Sequence, residues 1–481
     1  SSSTGRAYIF YNDGSMATTV ATADVTLTGE ATGDYFGHAL IAGDFNVDGR
    51  TDLAVGAYRN SSVRGRVYVY TFGNDPIITG QATSNSFGIG ILAGDFNSDG
   101  KTDLAVGANG YSSSAGRIYI FYNDGAYPPL ATGANVIITG EASSLLPGRI
   151  TAADVNSDGR VDLLAGAASY SSTTGRAYIF YNDGTSFGTV GCTTDCLAAN
   201  ADIIITGQST ANSFGGSVYV GDMNTDGRTD VIIGASGYSS NTGRTYIFYN
   251  DGTSFGTAAC TTGCLAANAD IIITGETTSN IFGQFLASGD FNADGRMDLA
   301  VGATTYSSSA GRVYTFYNDG VSFGTTACTT ACLAANADII ITGEAASALG
   351  FPIIAADMNA DGRTDLVISA QSYATSTGRV YTFYNDGVSF GTVVCTTGCL
   401  AANADVVMTG SATSMSFSTS VFSAGDYNND GVIDLAIRET GYSTSTGRVL
   451  IFSSEAAVTA QLPGTSYLKG TGKLKGTGKL K

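Results

Sequence analysis

One nine-residue pattern, Asp-x-Asn-x-Asp-Gly-x-x-Asp, occurs seven times in this 481-residue chain, starting at Asp44, Asp95, Asp154, Asp222, Asp290, Asp357 and Asp426. Successive starts lie 51, 59, 68, 68, 67 and 69 residues apart. Self-similarity at such a period marks an array of like units, each of which buries its apolar faces only by stacking on its neighbours. The longer intervals carry a Cys-x-x-x-Cys insert, at Cys192/Cys196, Cys260/Cys264, Cys328/Cys332 and Cys395/Cys399.

The context of the pattern repeats as well. A Phe-Gly pair precedes it in most units (Phe36-Gly37, Phe87-Gly88, Phe214-Gly215, Phe282-Gly283), and Leu-Ala-Val-Gly-Ala or a variant follows it. Then come a Tyr-Ser-Ser-Ser-like loop, a Gly-Arg-x-Tyr-x-Phe segment, an Asn-Asp-Gly turn and an Ile-Ile-Thr-Gly-Glu-like segment. Short apolar runs punctuated by turn residues read as strands, about four per unit. Asn123-Asp124-Gly125 supplies the positive-φ residues of a tight hairpin. In Ala7-Tyr8-Ile9-Phe10 both alternating faces are apolar, so each sheet needs cover on both sides.

Four-stranded antiparallel sheets covered on both faces, with no helical period between them, fit an all-β, seven-bladed propeller. Eight Gly-Arg strands exist but only seven aspartate loops, and the last unit stops at its third strand, Val449 to Phe452. Residues 24–30 are expected to supply the missing fourth strand and close the ring from the N-terminal side. Gly5 to Gly14 is then a surplus third-strand copy with no strand to pair with. The chain divides into that segment (1–23), the propeller (24–452) and a C-terminal extension (453–481). The extension ends in a Lys/Gly-rich tail holding five of the six lysines.

The repeated loops point to calcium. Oxygen-bearing side chains at positions 1, 3 and 5, a glycine at 6 for the sharp turn and a carbonyl at 7 are the donors of a calcium loop. Here the next carboxylate sits at position 9. The expected donors of the first site are Asp44, Asn46, Asp48 and Asp52 by side chain, with Arg50 by its carbonyl. The second repeats this with Asp95, Asn97, Asp99, Lys101 and Asp103, the third with Asp154, Asn156, Asp158, Arg160 and Asp162. The fourth has Asp222, Asn224, Asp226, Arg228 and Asp230, the fifth Asp290, Asn292, Asp294, Arg296 and Asp298. Asp357, Asn359, Asp361, Arg363 and Asp365 make the sixth, and Asp426, Asn428, Asp430, Val432 and Asp434 the seventh. Three carboxylates converging without a cation would repel, and turn chemistry alone does not require that all four side-chain oxygens recur while positions 2, 4 and 7 vary. About seven Ca2+, one per blade, are expected.

Composition agrees. The net charge is −18, yet only 13% of residues are charged and 43% are hydrophobic, which excludes a disordered acidic tail. Seven loops of three aspartates hold 21 of the 41 acids, and seven Ca2+, +14 in all, would bring −18 to −4. An acidic surface argues against nucleic acid as partner. No run of about 18 apolar residues is present to span a membrane. The cysteine pairs read as four small disulfides, which places the chain outside the cell or on its surface. A single histidine, His38, and only six glutamates leave no non-repeated cluster for a catalytic centre, so no catalytic residue and no enzyme activity is expected. The Gly-Arg arginines are expected to pair with loop acids or cap carbonyls. Asn60-Ser61-Ser62 is an N-glycosylation acceptor sequence.

Taken together, Phe-Gly, the aspartate loop, Leu-Ala-Val-Gly-Ala and Gly-Arg-Val-Tyr resemble FG-GAP repeats, the blades of integrin α-subunit propellers and of bacterial surface proteins. The resemblance covers roughly residues 24–452. It implies a seven-bladed propeller with calcium between the first and second strands, end-closure by an N-terminal outer strand, and extracellular adhesion or recognition. Gly-Ala-Pro is replaced throughout by Gly-Ala-x, and Phe-Gly is lost at Leu146-Pro147-Gly148, Gly350-Phe351 and Phe417-Ser418, which is closer to a standalone microbial surface protein than to an integrin chain. The expected function is a calcium-stabilised, structural or adhesive surface module, able to assemble head to tail into a filament through the surplus strand. The alternative is a lectin-like module binding a glycan or protein ligand, with a hydrolase or lyase third.

Overall fold

In a computed structural model, the described residues are 7–10 and 26–452, apart from 32, 72–74, 192, 195, 259, 261, 321, 327, 329–330, 388, 411–412, 414–416, 427–430 and 440–447. The Lys-rich tail lies outside them, as do Asn428 and Asp430 of the seventh loop.

In the first repeat, Phe36–Gly43 pairs antiparallel with Asp52–Ala57, that strand with Arg66–Tyr70, and that with Ile77–Thr79. The aspartate loop is the turn between the first two strands. Every residue of Asp52–Ala57 is buried, because both faces of the sheet are covered. Six sheets arise in this way from contiguous stretches of chain, with inner strands beginning at Phe36, Phe87, Arg149, Phe214, Phe282 and Leu349. The inner strands are neighbours in chain order, and the first also lies beside Phe417–Gly425. The protein is an all-β propeller.

Contiguous blades of the expected kind number six, not seven. The remaining sheet is composite: Phe417–Gly425, Asp434–Glu439 and Arg448–Phe452 are joined by Thr26–Thr28 and Ala7–Phe10. Ala7–Phe10, expected to lack a partner, pairs antiparallel with Thr26–Thr28 and parallel with Arg448–Phe452.

Four of the six contiguous sheets have five strands rather than four. Each cysteine insert supplies a two-residue strand that runs back to the preceding sheet: Cys196–Leu197, Cys264–Leu265, Cys332–Leu333 and Cys399–Leu400 pair in parallel with its outer strand. An exposed outer edge is a template for unwanted pairing, and the inserts cover it. Disulfides join Cys260 to Cys264, Cys328 to Cys332 and Cys395 to Cys399. Cys192, of the fourth pair, lies outside the described residues.

The contact between blades explains why Phe-Gly and Val-Gly-Ala recur together. A Cβ on Gly56 would sit 2.2 Å from the Gly88 carbonyl oxygen of the next sheet, and one on Gly166 would sit 2.0 Å from that of Gly215. Backbone meets backbone there, so neither position tolerates a side chain. The apolar clusters straddle adjacent sheets; one joins Ile118 and Ile120 of the second to Tyr178, Phe180 and Phe187 of the third. Among the described residues no helix is long and apolar enough to cross a membrane.

Candidate functional site

The aspartate loops share one hydrogen-bonded wrap. In the first, Asp44 accepts the Asp48 N–H on Oδ1 at 3.0 Å and the Gly49 N–H on Oδ2 at 2.9 Å. Asn46 Oδ1 accepts the same Asp48 N–H, and Asp48 Oδ1 accepts the Arg50 N–H, each at 2.9 Å. Gly49 turns the chain at φ 83, open to solvent, where a Cβ would meet nothing within 4 Å. The contacts recur in the next five loops, through Asp95 to Lys101, Asp154 to Arg160, Asp222 to Arg228, Asp290 to Arg296 and Asp357 to Arg363. In the seventh, Asp426 Oδ2 accepts the Gly431 N–H at 2.9 Å.

The side chain at position 7 adds a contact of its own. Arg160, Arg228, Arg296 and Arg363 place Nη1 3.1–3.4 Å from Oδ2 of the position-5 aspartate, and Lys101 Nζ lies 3.2 Å from Asp99. These pairs are solvent-exposed and worth at most about 1 kcal/mol each.

Position 9 is different. Asp52, Asp103, Asp162, Asp230, Asp298, Asp365 and Asp434 are at most 1% exposed. Asp298 Oδ2 accepts the Phe291 N–H at 2.8 Å, and its Oδ1 accepts the Asn318 N–H at 2.7 Å. The side chain of Asn318 then reaches back one blade, donating from Nδ2 to the Met223 carbonyl at 2.9 Å. Asn123, Asn182, Asn250 and Asn385 make the same double connection, to Asp103, Asp162, Asp230 and Asp365 on one side and to the preceding loop on the other. The position-9 carboxylates thus tie successive loops together. Burial pushes Asp52, Asp103 and Asp162 up to about 6, and Asp230, Asp298 and Asp365 up to about 7, despite the N–H groups that favour the ionised form.

Positions 1, 3, 5 and 7 are therefore gathered at the rim, while position 9 sits beneath them as a latch. Among the described residues no three Asp, Glu, His or Cys side chains form a metal-holding group. The reason is local: the carboxylates are turned onto loop N–H groups and the position-7 cation. The donor set nonetheless fits calcium, since it is all oxygen and the wrap already orders the loop. The asparagine latch was legible only as the Tyr-Asn-Asp-Gly hairpin. Nothing in its spacing indicates a partner one blade away.

Gly-Arg arginines pair, as expected, with loop acids, and those acids lie one blade back. Arg176 lies 2.9 Å from Glu141 of the preceding blade, Arg312 3.0 Å from Glu276 and Arg379 2.8 Å from Glu344. Gln81 and Gln208 take the same place for Arg117 and Arg244. Each of these five guanidiniums also lies over a tyrosine ring, 3.7–3.9 Å from its centroid, as with Tyr111 and Tyr170. They clasp blade to blade. His38 packs its ring 4.4 Å from that of Tyr58. Asn60, in the glycosylation acceptor sequence, is only 4% exposed and donates from Nδ2 to Asp34 at 2.7 Å.

Comparison with known sequences now defines the class. The FG-GAP repeat family matches residues 36–70, 87–121, 147–180, 214–248, 282–316 and 353–383, six repeats that coincide with the six contiguous blades. The chain is a β-propeller that carries six FG-GAP repeats, and over part of its length it is similar to integrin α-chains. It is 29% identical to integrin alpha-PS2 of Drosophila melanogaster over 43% of this chain and 15% of that protein. It is 36% identical to mouse integrin alpha-3 over 30% of this chain and 15% of the relative. Over 34% of this chain it is also 36% identical to mouse phosphatidylinositol-glycan-specific phospholipase D, covering 19% of that protein. The chain thus spans less than a fifth of the length of these relatives. The expectation that the chain has no enzyme activity is corrected by the phospholipase D relatives, which are named as enzymes in mouse, rat, human and cattle.

Proposed function

We propose that this chain is a calcium-stabilised, extracellular recognition propeller, in which one Ca2+ per aspartate loop rigidifies a ring that presents a ligand-binding or adhesive surface. The observation that carries it is the identical wrap of six successive loops, each gathering side-chain oxygens at the rim above a buried carboxylate. A cation there would lower the cost of holding that carboxylate charged. The disulfides support an oxidising compartment. Pairing of Leu27 with Val449 and Thr28 with Arg448 supports a seventh blade, completed by strands from both ends of the sequence. Calorimetric titration of chelator-stripped protein tests the reading. About seven Ca2+ per chain are expected, with Mg2+ far weaker because it keeps its own waters. Uptake of one ion or none overturns it.

A second reading rests on the same sheet. Ala7 and Val449 both stand opposite Leu27, and Tyr8 stands opposite Leu450. Gly5-Arg6-Ala7-Tyr8-Ile9-Phe10 and Gly447-Arg448-Val449-Leu450-Ile451-Phe452 are two copies of one strand competing for one third-strand place. The displaced copy is available to a neighbouring molecule, a low-cost route to exchange between chains. Light scattering after refolding at high concentration is expected to show oligomers for the whole chain and monomers for a chain lacking residues 1–14. Monomers in both overturn this reading.

A further inference from the structure

The inner strands line the axis of the propeller, and one of them breaks the pattern. Arg149 is the first residue of Arg149–Ala153 in the third sheet, and the other inner strands contain no Arg or Lys. Its guanidinium carbon lies 4.9 Å from the ring centroid of Phe285, in the fifth sheet. The fourth sheet stands between those two in the ring, so the side chain reaches across the axis rather than along a blade interface. Phe285 in turn packs on Phe351 of the sixth sheet, with ring centroids 4.4 Å apart. Arg149 thus stands at the end of its strand remote from the aspartate loop at 154–162, about 16 Å away at 3.3 Å per residue.

No carboxylate answers it. None of the inner strands, Phe417–Gly425 included, contains an Asp or Glu before its closing loop. Among the described residues Arg149 makes no ion pair, whereas Arg117, Arg176, Arg244, Arg312 and Arg379 are each held by a Glu or Gln. Partial burial pulls its guanidinium down, with no neighbouring charge in opposition. Arg149 is only half-buried, so its guanidinium remains accessible from the axial opening, and a planar fork of five donors is suited to a carboxylate or sulfate. There is room beside the inner strands, since a Cβ on Gly90 would meet no atom within 4 Å.

We propose that the axial opening remote from the aspartate loops is an oxyanion site, in which Arg149 grips a carboxylate or sulfate group against the wall formed by Phe285 and Phe351. In an acidic protein this gives the ring one point that attracts anionic ligands. The site goes beyond the calcium reading and does not depend on it.

Calorimetry with sodium glucuronate and with sodium sulfate as separate probes, on the whole calcium-loaded chain, tests the proposal. Binding of at least one probe is expected, weakened about tenfold or more in Arg149→Gln and less in Arg149→Lys, which keeps the charge but loses the fork. Glucuronate binding more tightly than sulfate assigns the site to the acid group of a sugar, whereas equal affinities assign it to a free inorganic oxyanion. Both variants are checked for an unchanged calcium titration and melting temperature, so loss of fold is not mistaken for loss of the site. Neither probe binding the wild-type chain, or Arg149→Gln binding as tightly as wild type, overturns it.

Discussion

Removal of calcium is expected to lower the melting temperature of the whole chain by roughly ten degrees or more, since each loop held at a hundred times its dissociation constant contributes ~2.7 kcal/mol. The loops are surface turns whose side-chain oxygens repel one another, and the latch beneath each carries a buried negative charge. Without a cation those charges face only N–H groups and, in five loops, one exposed side-chain cation. The pH dependence follows. Burial lifts the position-9 carboxylates to about 6 or 7, above the unfolded value of about 3.9. Between about pH 4 and pH 7 the folded state then holds more protons than the unfolded one, so metal-free stability falls as pH rises through that window. Calcium favours the ionised form and opposes that fall. Thermal melts with and without chelator at about pH 5 and about pH 7.5 check both points. A melt that chelation leaves unmoved, or a metal-free melt that rises with pH, counts against calcium in these loops.

Replacing one latch is expected to cost far more than replacing the exposed cation two residues before it. Asp298→Ala strands the buried N–H groups of Phe291 and Asn318, and with them the tie from Asn318 to the fourth blade. Leaving buried donors unpaired costs about 1–3 kcal/mol for each, so a loss of about 3–5 kcal/mol is expected. Arg296→Ala removes only an exposed pair to Asp294, 3.1 Å long, and should cost less than about 1 kcal/mol. Urea unfolding of both variants measures the difference. The Asp298→Ala loss should persist in chelator, because the latch is hydrogen-bonded without any ion. Equal effects of the two variants, or a loss that vanishes in chelator, would assign position 9 to metal ligation alone.

Much of this was readable in advance. The period, the turn residues and the doubly apolar strands led to an all-β array, and the loop at Asp44 to Asp52 was marked by its spacing of oxygens. The sequence reading fell short where the deciding contact lies between units. It left open which loop acid meets Arg176, and only the stacked sheets select Glu141 of the blade before. It left Ala7–Phe10 without a partner, whereas strands from both ends of the sequence share one sheet. It read the cysteine pairs only as small disulfides, whereas each insert also runs back to cover the edge of the preceding sheet.

What the sequence determined alone was the local repeat: which residues turn, which strands are buried on both faces, and where oxygen donors cluster. Those properties depend on near neighbours along the chain, and repetition makes them conspicuous. Only the tertiary structure decided which blade each side chain serves. Asn318 looks like a hairpin residue and acts one blade back; Arg149 looks like a surface cation and lies over Phe285 across the axis. Such contacts join residues 95 and 136 positions apart, and sequence spacing has no hold over them because the ring geometry alone sets their approach.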